Sequence, residues 1–215
     1  MYMPLFLFIK KKKNQGNPVD VRIQQDVQEF FNILTDRIEN ELKPTQFRRL
    51  LQDCFGGKVV NQMICQGGCG SVREREQDFM MISLPIKSRV NMKESLDAYV
   101  QPEQLEGVHC DACNKKCNTL KREVLHQLPN SLFVHLKRFE LNFETFRHEK
   151  SNQRFEFPDE IDLEPYTKEG LDRLEKVKAS QNDTNVQVPS PYAMHPPEYY
   201  KYKLVGVTVH TGSAN

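Results

Sequence analysis

The chain has 215 residues, of which 27% are charged and 38% hydrophobic, and its formal net charge at pH 7 is +1. This length allows one large domain or two small ones with an apolar core, and the near-neutral charge disfavours a general nucleic-acid-binding protein. The apolar block Met1–Ile9 precedes the lysine run Lys10–Lys13 and is too short for a membrane span, and the order of the two blocks is the reverse of a secretory signal. We therefore expect no membrane association and a cytoplasmic location, with the lysine run compatible with a nuclear address.

The first predicted element is an amphipathic helix within residues 19–42. Asp20 is placed to cap its start and Pro44 follows its end, which are common helix boundaries. The apolar side chains that recur at spacings of three and four are Val27, Phe30, Phe31, Leu34 and Ile38. A short second helix is predicted over residues 46–51.

The next elements are predicted to be mainly strands. Beyond Gly56 and Gly57, the segments KVVNQMIC and QDFMMISLPI are rich in apolar and β-branched residues, which favours strands, and MKESLDAYV favours a short helix. Two further strands, TLKREVLHQL and SLFVHLKRFEL, are predicted on either side of a turn at Pro129 and Asn130. The alternating segment KYKLVGVTVH predicts a last strand.

Residues 176–200 differ in composition from the segments on either side. They contain few aliphatic side chains and are rich in serine, asparagine and glutamine. The prolines of this segment are Pro189, Pro191, Pro196 and Pro197. This composition predicts a disordered surface loop.

The cysteines form two pairs with metal-ligand spacing. Cys65 and Cys69 are separated by three residues, and Cys110 and Cys113 by two. In a chain without a secretory signal, such grouping favours metal ligation over disulfides, and four sulfur ligands suit a closed, tetrahedral, structural Zn²⁺ site. The alternative is that these are buried or idle reduced thiols.

Three further cysteine and histidine residues are relevant here, two of them as alternative ligands. Cys117 and His109 lie near enough in sequence to replace one of the four zinc ligands. Cys54 stands alone in QDCFGGK and is interpreted as a small buried hydrophobic residue, because no histidine lies close to it in sequence to activate it.

Five motifs, in order, resemble those of the catalytic domain of ubiquitin-specific proteases. QQDVQEFFNIL resembles the glutamine–glutamine–aspartate helix motif, and FGGKVVNQMIC with the two cysteine pairs resembles the zinc-bearing fingers. LPNSLFVHLKRFEL is similar to the palm strand, RFEFPDEIDLEPY to the phenylalanine–proline segment, and YKLVGVTVHTGSAN to the approach to the histidine box.

This resemblance implies an α+β fold, namely part of a papain-like cysteine peptidase domain with thumb, fingers and palm. Residues 1–18 are then an atypical N-terminal segment, and residues 19–215 a partial catalytic domain. Within it, residues 19–52 are expected to form thumb helices, residues 53–125 the zinc-bearing fingers, and residues 126–215 the palm with the disordered loop.

The resemblance also implies a function, which is hydrolysis of ubiquitin conjugates after the C-terminal glycine of ubiquitin. The nucleophile of the family belongs upstream of Gln24 and the general base beyond Asn215, so we assign no catalytic residue and expect the chain to be inactive alone. His210 matches a strand end before the histidine box rather than the base. Asp26 and Gln28 are expected to line the channel for the ubiquitin tail, where a carboxylate pairs with arginine, and Phe139 to narrow it at the glycines.

Two alternatives belong to other classes of protein. A non-catalytic, zinc-stabilised module that binds ubiquitin or another partner would show specific binding without turnover. A zinc-ribbon nucleic-acid binder would need a basic face, whereas the cysteine region pairs its basic residues with nearby acidic ones. The expected partners are ubiquitin and ubiquitinated proteins, with no nucleic acid.

Overall fold

The computed structural model describes residues 13–14, 17–18, 27–142, 146–180 and 195–209. The chain divides into two compact units, Met1–Leu50 and Leu51–Asn215. Among the residues described, no helix is long and apolar enough to cross a membrane. Asp26, His210 and the predicted cap Asp20 lie outside the described residues.

The first unit contains two short antiparallel strands and a helix. The strands are β1 (Lys13–Asn14) and β2 (Asn17–Pro18), and the helix α1 spans Val27–Leu42. The helix predicted from its apolar spacing is thus confirmed over its described part. After its end, the Thr45 hydroxyl donates to the carbonyl of Leu42 at 2.8 Å, immediately after Pro44.

The remaining elements follow from Leu50 to Lys203. In chain order they are α2 (Leu50–Phe55), β3 (Gly57–Cys65), β4 (Val72–Phe79), β5 (Met81–Pro85), α3 (Met92–Val100), β6 (Glu103–Cys110), β7 (Lys115–Gln127), β8 (Phe133–Lys137), β9 (Phe139–Asn142), β10 (Arg147–Lys150), β11 (Glu160–Asp162), a 3-10 turn (Glu164–Tyr166), α4 (Lys168–Ser180), a second 3-10 turn (Pro197–Tyr200) and β12 (Lys201–Lys203). Strands outnumber helices, and the α+β fold class is confirmed.

A four-stranded antiparallel sheet dominates the second unit, with strand order β4-β3-β7-β6. The ladder between β3 and β7 reaches Cys65, which is paired with Thr119. It continues by one further bond, from the Gln66 N–H to the carbonyl of Asn118 at 2.8 Å. The other described strands form separate two-stranded pairs: β5 with β8 in parallel, and β9 with β10 and β11 with β12 antiparallel.

The apolar core lies at the end of this sheet away from the cysteines. Two residues of the sheet, Val59 and Leu125, pack there with side chains from the strand β5, the helix α3, the residue that follows β7 and the segments of the two 3-10 turns. Those partners are Ile82, Leu84, Leu96, Leu128, Leu163, Tyr166 and Tyr200. Burying each such side chain contributes about 1.5–3 kcal/mol.

The cysteine end of the sheet lacks a comparable core. Among the described residues near the cysteines, Cys65 and Thr119 are buried, but neither belongs to the apolar cluster at the other end. In the neighbouring strand β4, every residue from Val72 to Asp78 is exposed. Burial of large apolar side chains therefore contributes little to the stability of the cysteine end, and a metal ion that joined its two turns would stabilise it strongly.

Several predicted strands are divided in the structure. QDFMMISLPI bends at Met80, so that β4 joins the four-stranded sheet while β5 pairs with β8. SLFVHLKRFEL is interrupted at Arg138, whose guanidinium donates to the carbonyls of Ser151 and Gln153 at 3.1 and 2.9 Å. These partners are remote in sequence, so local composition carries no sign of the breaks.

Other boundaries also differ from the predictions. The second helix begins at Leu50 rather than at residue 46, because residues 46–49 form turns. The final strand is short, and residues 204–209 continue without strand pairing. Of the segment predicted as a disordered loop, 176–200, residues 181–194 lie outside the described residues. Its described ends belong to α4 and to the second 3-10 turn, in which Tyr200 is buried.

Candidate metal centre

Two turns at one end of the sheet present the paired cysteines. Cys65 ends β3 and Cys69 lies in the turn that leads to β4, whereas Cys110 ends β6 and Cys113 lies in the turn that leads to β7. Gly68 adopts φ +92°, a left-handed conformation that glycine reaches without a side-chain clash. This glycine allows the three-residue spacing of the first pair to close into a tight turn.

The four sulfurs converge on one point. The Sγ atoms of Cys65, Cys69, Cys110 and Cys113 all lie within 4.8 Å of one another. The separation between Cys69 Sγ and Cys110 Sγ is 3.7 Å, close to the spacing of about 3.8 Å that tetrahedral Zn–S bonds of about 2.3 Å impose on sulfur ligands. This cluster, which we call the four-cysteine site, could hold a metal ion.

Protonation within the four-cysteine site is uneven. Backbone N–H groups of Cys113 and Ala112 lower the pKa of the Cys110 thiol to about 6. Desolvation, and then hydrogen bonds to Cys110 and Cys69, raise the pKa of the Cys113 thiol to about 12. Four neighbouring thiolates need a positive charge between them, which a divalent cation would supply.

A fifth sulfur adjoins this site. The Sγ atom of Cys117, in β7, lies 3.1 Å from Cys65 Sγ and 3.7 Å from the carbonyl oxygen of Val108. Cys117 is not part of the group in which every sulfur is within 4.8 Å of every other. Sequence spacing alone placed it near the site but did not reveal its proximity to Cys65.

His109, the other alternative ligand, faces different partners. Its Nε2 atom lies 3.1 Å from the side-chain oxygen of Asn114, and its Nδ1 atom lies 3.4 Å from a carboxylate oxygen of Asp111. The same Asp111 pairs with Arg73 at 3.1 Å. Both ring nitrogens of His109 are therefore engaged outside the four-cysteine site.

The residues predicted to bind substrate fall in different parts of the chain. Gln28 is half-buried in α1, within the first unit. Phe139 begins β9, within the second unit, and its side chain is 40% exposed. Asp26, as noted, is outside the described residues.

A polar network that the sequence did not reveal links the sheet to α4. Buried Gln62 donates to Glu74 at 2.7 Å and accepts from Arg122 at 2.6 Å. Arg122 also reaches Glu175 at 2.6 Å, and Lys168 reaches Glu74 at 2.6 Å. In the sequence, the only sign of this network is the polar residue Gln62 within β3, at a position that the structure buries.

Comparison with known proteins identifies the family. The family model described as "Ubiquitin carboxyl-terminal hydrolase" matches residues 6–215. The chain belongs to this family. The resemblance found in the motifs is therefore confirmed, and deubiquitinating hydrolases are the class of enzyme to which the chain is related.

Individual ubiquitin carboxyl-terminal hydrolases agree with this assignment. Ubiquitin carboxyl-terminal hydrolase 9X of Mus musculus is 38% identical over 211 residues, which is 97% of this chain and 8% of that protein. The probable ubiquitin carboxyl-terminal hydrolase FAF of Drosophila melanogaster is 39% identical over 206 residues, covering 93% of this chain and 7% of that protein. The chain thus spans less than a tenth of the length of these relatives.

One solved structure with a similar fold is that of a DUB module. The structure of the SAGA Ubp8/Sgf11/Sus1/Sgf73 DUB module bound to ubiquitin aldehyde aligns with a TM-score of 0.62 and 27% sequence identity. The alignment covers 68% of this chain and 34% of the matched chain.

Proposed function

We propose that this chain supplies the ubiquitin-binding fingers and palm of a deubiquitinating cysteine peptidase, and that its 215 residues do not hydrolyse ubiquitin conjugates alone. The observation that carries the proposal is the family match over residues 6–215. The similar solved structure is described as bound to ubiquitin aldehyde, which supports ubiquitin as the partner.

The four-cysteine site is proposed to hold a structural Zn²⁺ ion. Four sulfurs within 4.8 Å of one another could fill all four positions of a tetrahedral ion and leave none open for a substrate. The ion would then organise the fold and not the reaction. Cys65, Cys69, Cys110 and Cys113 would bind it as thiolates. Because the cysteine end of the sheet has little apolar core, metal binding, on the order of 10–16 kcal/mol, would provide most of its stability.

The positions of the cysteines and the contact of His135 support the proposed lack of a catalytic pair in this chain. Five of the six cysteines belong to or adjoin the four-cysteine site. Cys54, the sixth, lies in α2, and its carbonyl accepts the Ser131 N–H at 2.9 Å. His135 lies 3.3 Å from the Ser83 hydroxyl across the parallel pair β5–β8. We assign none of them as nucleophile or base.

The ubiquitin tail is proposed to contact Asp26, Gln28 and Phe139. A carboxylate at position 26 would form a charge-assisted hydrogen bond with an arginine of the tail, and Gln28 lies two residues further along the same segment. A partly exposed aromatic ring such as that of Phe139 offers an apolar wall against glycine residues.

Binding and turnover measured on one preparation test these proposals. We expect fluorescently labelled ubiquitin to bind the zinc-loaded chain specifically, competed by unlabelled ubiquitin, while a fluorogenic ubiquitin substrate is not cleaved above background. Absence of binding by folded protein would refute the ubiquitin-binding role.

The Cys54→Ser variant is the matched control for turnover, since it removes the cysteine that lies outside the site. Cleavage by the native chain that this variant lacks would identify Cys54 as a nucleophile and contradict the proposed inactivity. Equal, background-level signals in both chains support the proposal.

A further inference from the structure

The short contact between Cys65 and Cys117 is not explained by a tetrahedral ion. Their sulfurs are 3.1 Å apart, closer than the 3.7 Å between Cys69 and Cys110, which share the four-cysteine site. A structural zinc site has four ligands, so one of the five clustered thiols is not needed as a ligand. Cys117 is that thiol.

The strand register holds the two residues together. Since Cys65 is paired with Thr119 and Gln66 bonds to Asn118, Cys117 is the next residue of β7 on the same face as Thr119. The turn after Cys65 packs over the pair, because a Cβ at Gly67 would lie 2.8 Å from Cys117 Cβ and 3.4 Å from Cys65 Sγ. The Gly67 N–H also donates to Cys65 Sγ at 3.3 Å.

We propose that Cys65 and Cys117 are a redox-active pair, which hydrogen peroxide converts to a disulfide with release of the zinc ion. This inference rests on the proposed zinc site. Without the Cys65 thiolate, three of the four proposed ligands would remain, and the site would hold the ion less tightly. The disulfide is therefore a modification that would remove the metal link between the turn after β3 and the turn after β6.

The reaction begins at Cys117, which is half-buried and free of the ion, whereas Cys65 is buried. The Cys117 thiol loses its proton and the sulfur attacks one peroxide oxygen, so that an S–O bond forms as the O–O bond breaks. The leaving hydroxide takes up the proton. A sulfenic acid and one water are produced. The two electrons that reduce the peroxide come from the sulfur.

The Cys65 thiolate then attacks the sulfenic sulfur of Cys117. An S–S bond forms as the S–O bond breaks, and hydroxide leaves. Overall, one thiol and one thiolate are oxidised to one disulfide, and one peroxide becomes one water and one hydroxide. A thiol reductant reverses the step and restores the zinc ligand.

The test uses the 215-residue chain loaded with zinc and treated with graded hydrogen peroxide. Zinc release is followed with a chromogenic chelator, free thiols are counted, and disulfides are mapped by peptide mass spectrometry. We expect two thiols lost for each zinc released, a Cys65–Cys117 linkage, and full rebinding of zinc after reduction. Mapped linkages that join Cys69, Cys110 or Cys113 instead would overturn the inference.

Cys117→Ser and Cys117→Ala are the informative variants, and Cys54→Ser is the control for loss of one cysteine. Both Cys117 variants should bind one equivalent of zinc and release it several-fold more slowly under peroxide, whereas Cys54→Ser should behave like the native chain. Release as fast and as reversible as in the native chain contradicts the pair. So does loss of zinc from both untreated variants, since Cys117 would then be a ligand.

The experiment distinguishes failure of the zinc-site proposal from failure of the redox-pair proposal. A native chain that binds less than one equivalent of zinc before any oxidation defeats the zinc proposal itself. A native chain that binds one equivalent and releases it under peroxide with Cys117 still reduced defeats only the redox pair.

Discussion

Gly67 lies directly against Cys117. A Cβ at position 67 would be 2.8 Å from the Cβ of Cys117 and 3.3 Å from its sulfur. The 2.8 Å separation between the two Cβ atoms is too short for a folded protein unless one of them moves. The absence of a side chain at Gly67 therefore allows the first cysteine turn to close over β7. This close approach, rather than an unusual φ, accounts for glycine at this position.

Gly67→Ala is expected to displace the turn and weaken zinc binding. Overpacking of this kind costs about 1–3 kcal/mol, so the zinc dissociation constant measured by chelator competition should rise. Gly206→Ala is the control, because a Cβ there meets no atom within 4 Å. Unchanged zinc affinity in Gly67→Ala would show that the turn and β7 move apart freely.

Removal of zinc is expected to unfold the cysteine end of the sheet before the apolar core. Hydrogen exchange should lose protection near Cys65 and Cys110, whose turns would be joined by the ion, while Val60 and Val124, which are buried further from the cysteines, stay protected. Mass spectrometry of peptides after chelator treatment measures this difference. Uniform loss of protection along β3 and β7 would mean that the whole sheet depends on the ion.

The sequence predicted the two cysteine pairs as candidate metal ligands because each pair is local: two thiols separated by two or three residues share a turn whatever the rest of the fold does. Cys117 is different. Its contact with Cys65 depends on the register between β3 and β7, which brings together two residues 52 positions apart, and no spacing rule carries that information. For the same reason, the hydrogen bond from Arg122 to Gln62 could not be predicted from the sequence.

Strand content was predictable, whereas strand partners were not. The β-branched run of β3 and the α3 segment were recognised from composition, since local propensity decides them. The polar edge strand β6 carries few apolar residues and gave no signal. The bend at Met80, which sends β5 to a different partner, reflects packing of Ile82 and Leu84 into the core.

Leu84→Ala should be strongly destabilising. The side chain is 0% exposed within the apolar core, and truncation of such a leucine costs about 2–5 kcal/mol. Urea denaturation should show a lower midpoint with a similar slope. Val205→Ala is the matched control, because that side chain is 98% exposed and its truncation should stay within about 0.5 kcal/mol.

Asp26→Ala and Phe139→Ala are expected to weaken ubiquitin binding. Loss of a charge-assisted hydrogen bond costs about 1.5–3 kcal/mol, so the Kd for ubiquitin should rise about tenfold or more in Asp26→Ala. Titration of labelled ubiquitin measures this change. Asp36→Ala removes an exposed carboxylate from α1 and should leave the Kd unchanged. An unchanged Kd in Asp26→Ala would remove that residue from the proposed channel.

Glu74 is expected to make stability fall in acid. The hydrogen bond from Lys168, followed by that from Gln62, holds the pKa of the Glu74 carboxyl below its ordinary value of 4.5, although desolvation opposes the shift. Because the folded-state pKa is depressed, this stabilisation is fully present above the unfolded value. It is lost as the pH falls from about 4.5 through the lower folded-state pKa.

Glu74→Gln should therefore reduce the difference in unfolding free energy between pH 7 and pH 3. Since the Glu74 side chain is 34% exposed and that of Lys168 28%, solvent screening keeps the expected change below about 1 kcal/mol. Glu76→Gln is the control: it removes a more exposed carboxylate, 52%, paired with Lys58, and should change the pH dependence less. Equal effects of the two variants would mean that the buried amide of Gln62 contributes nothing to the network.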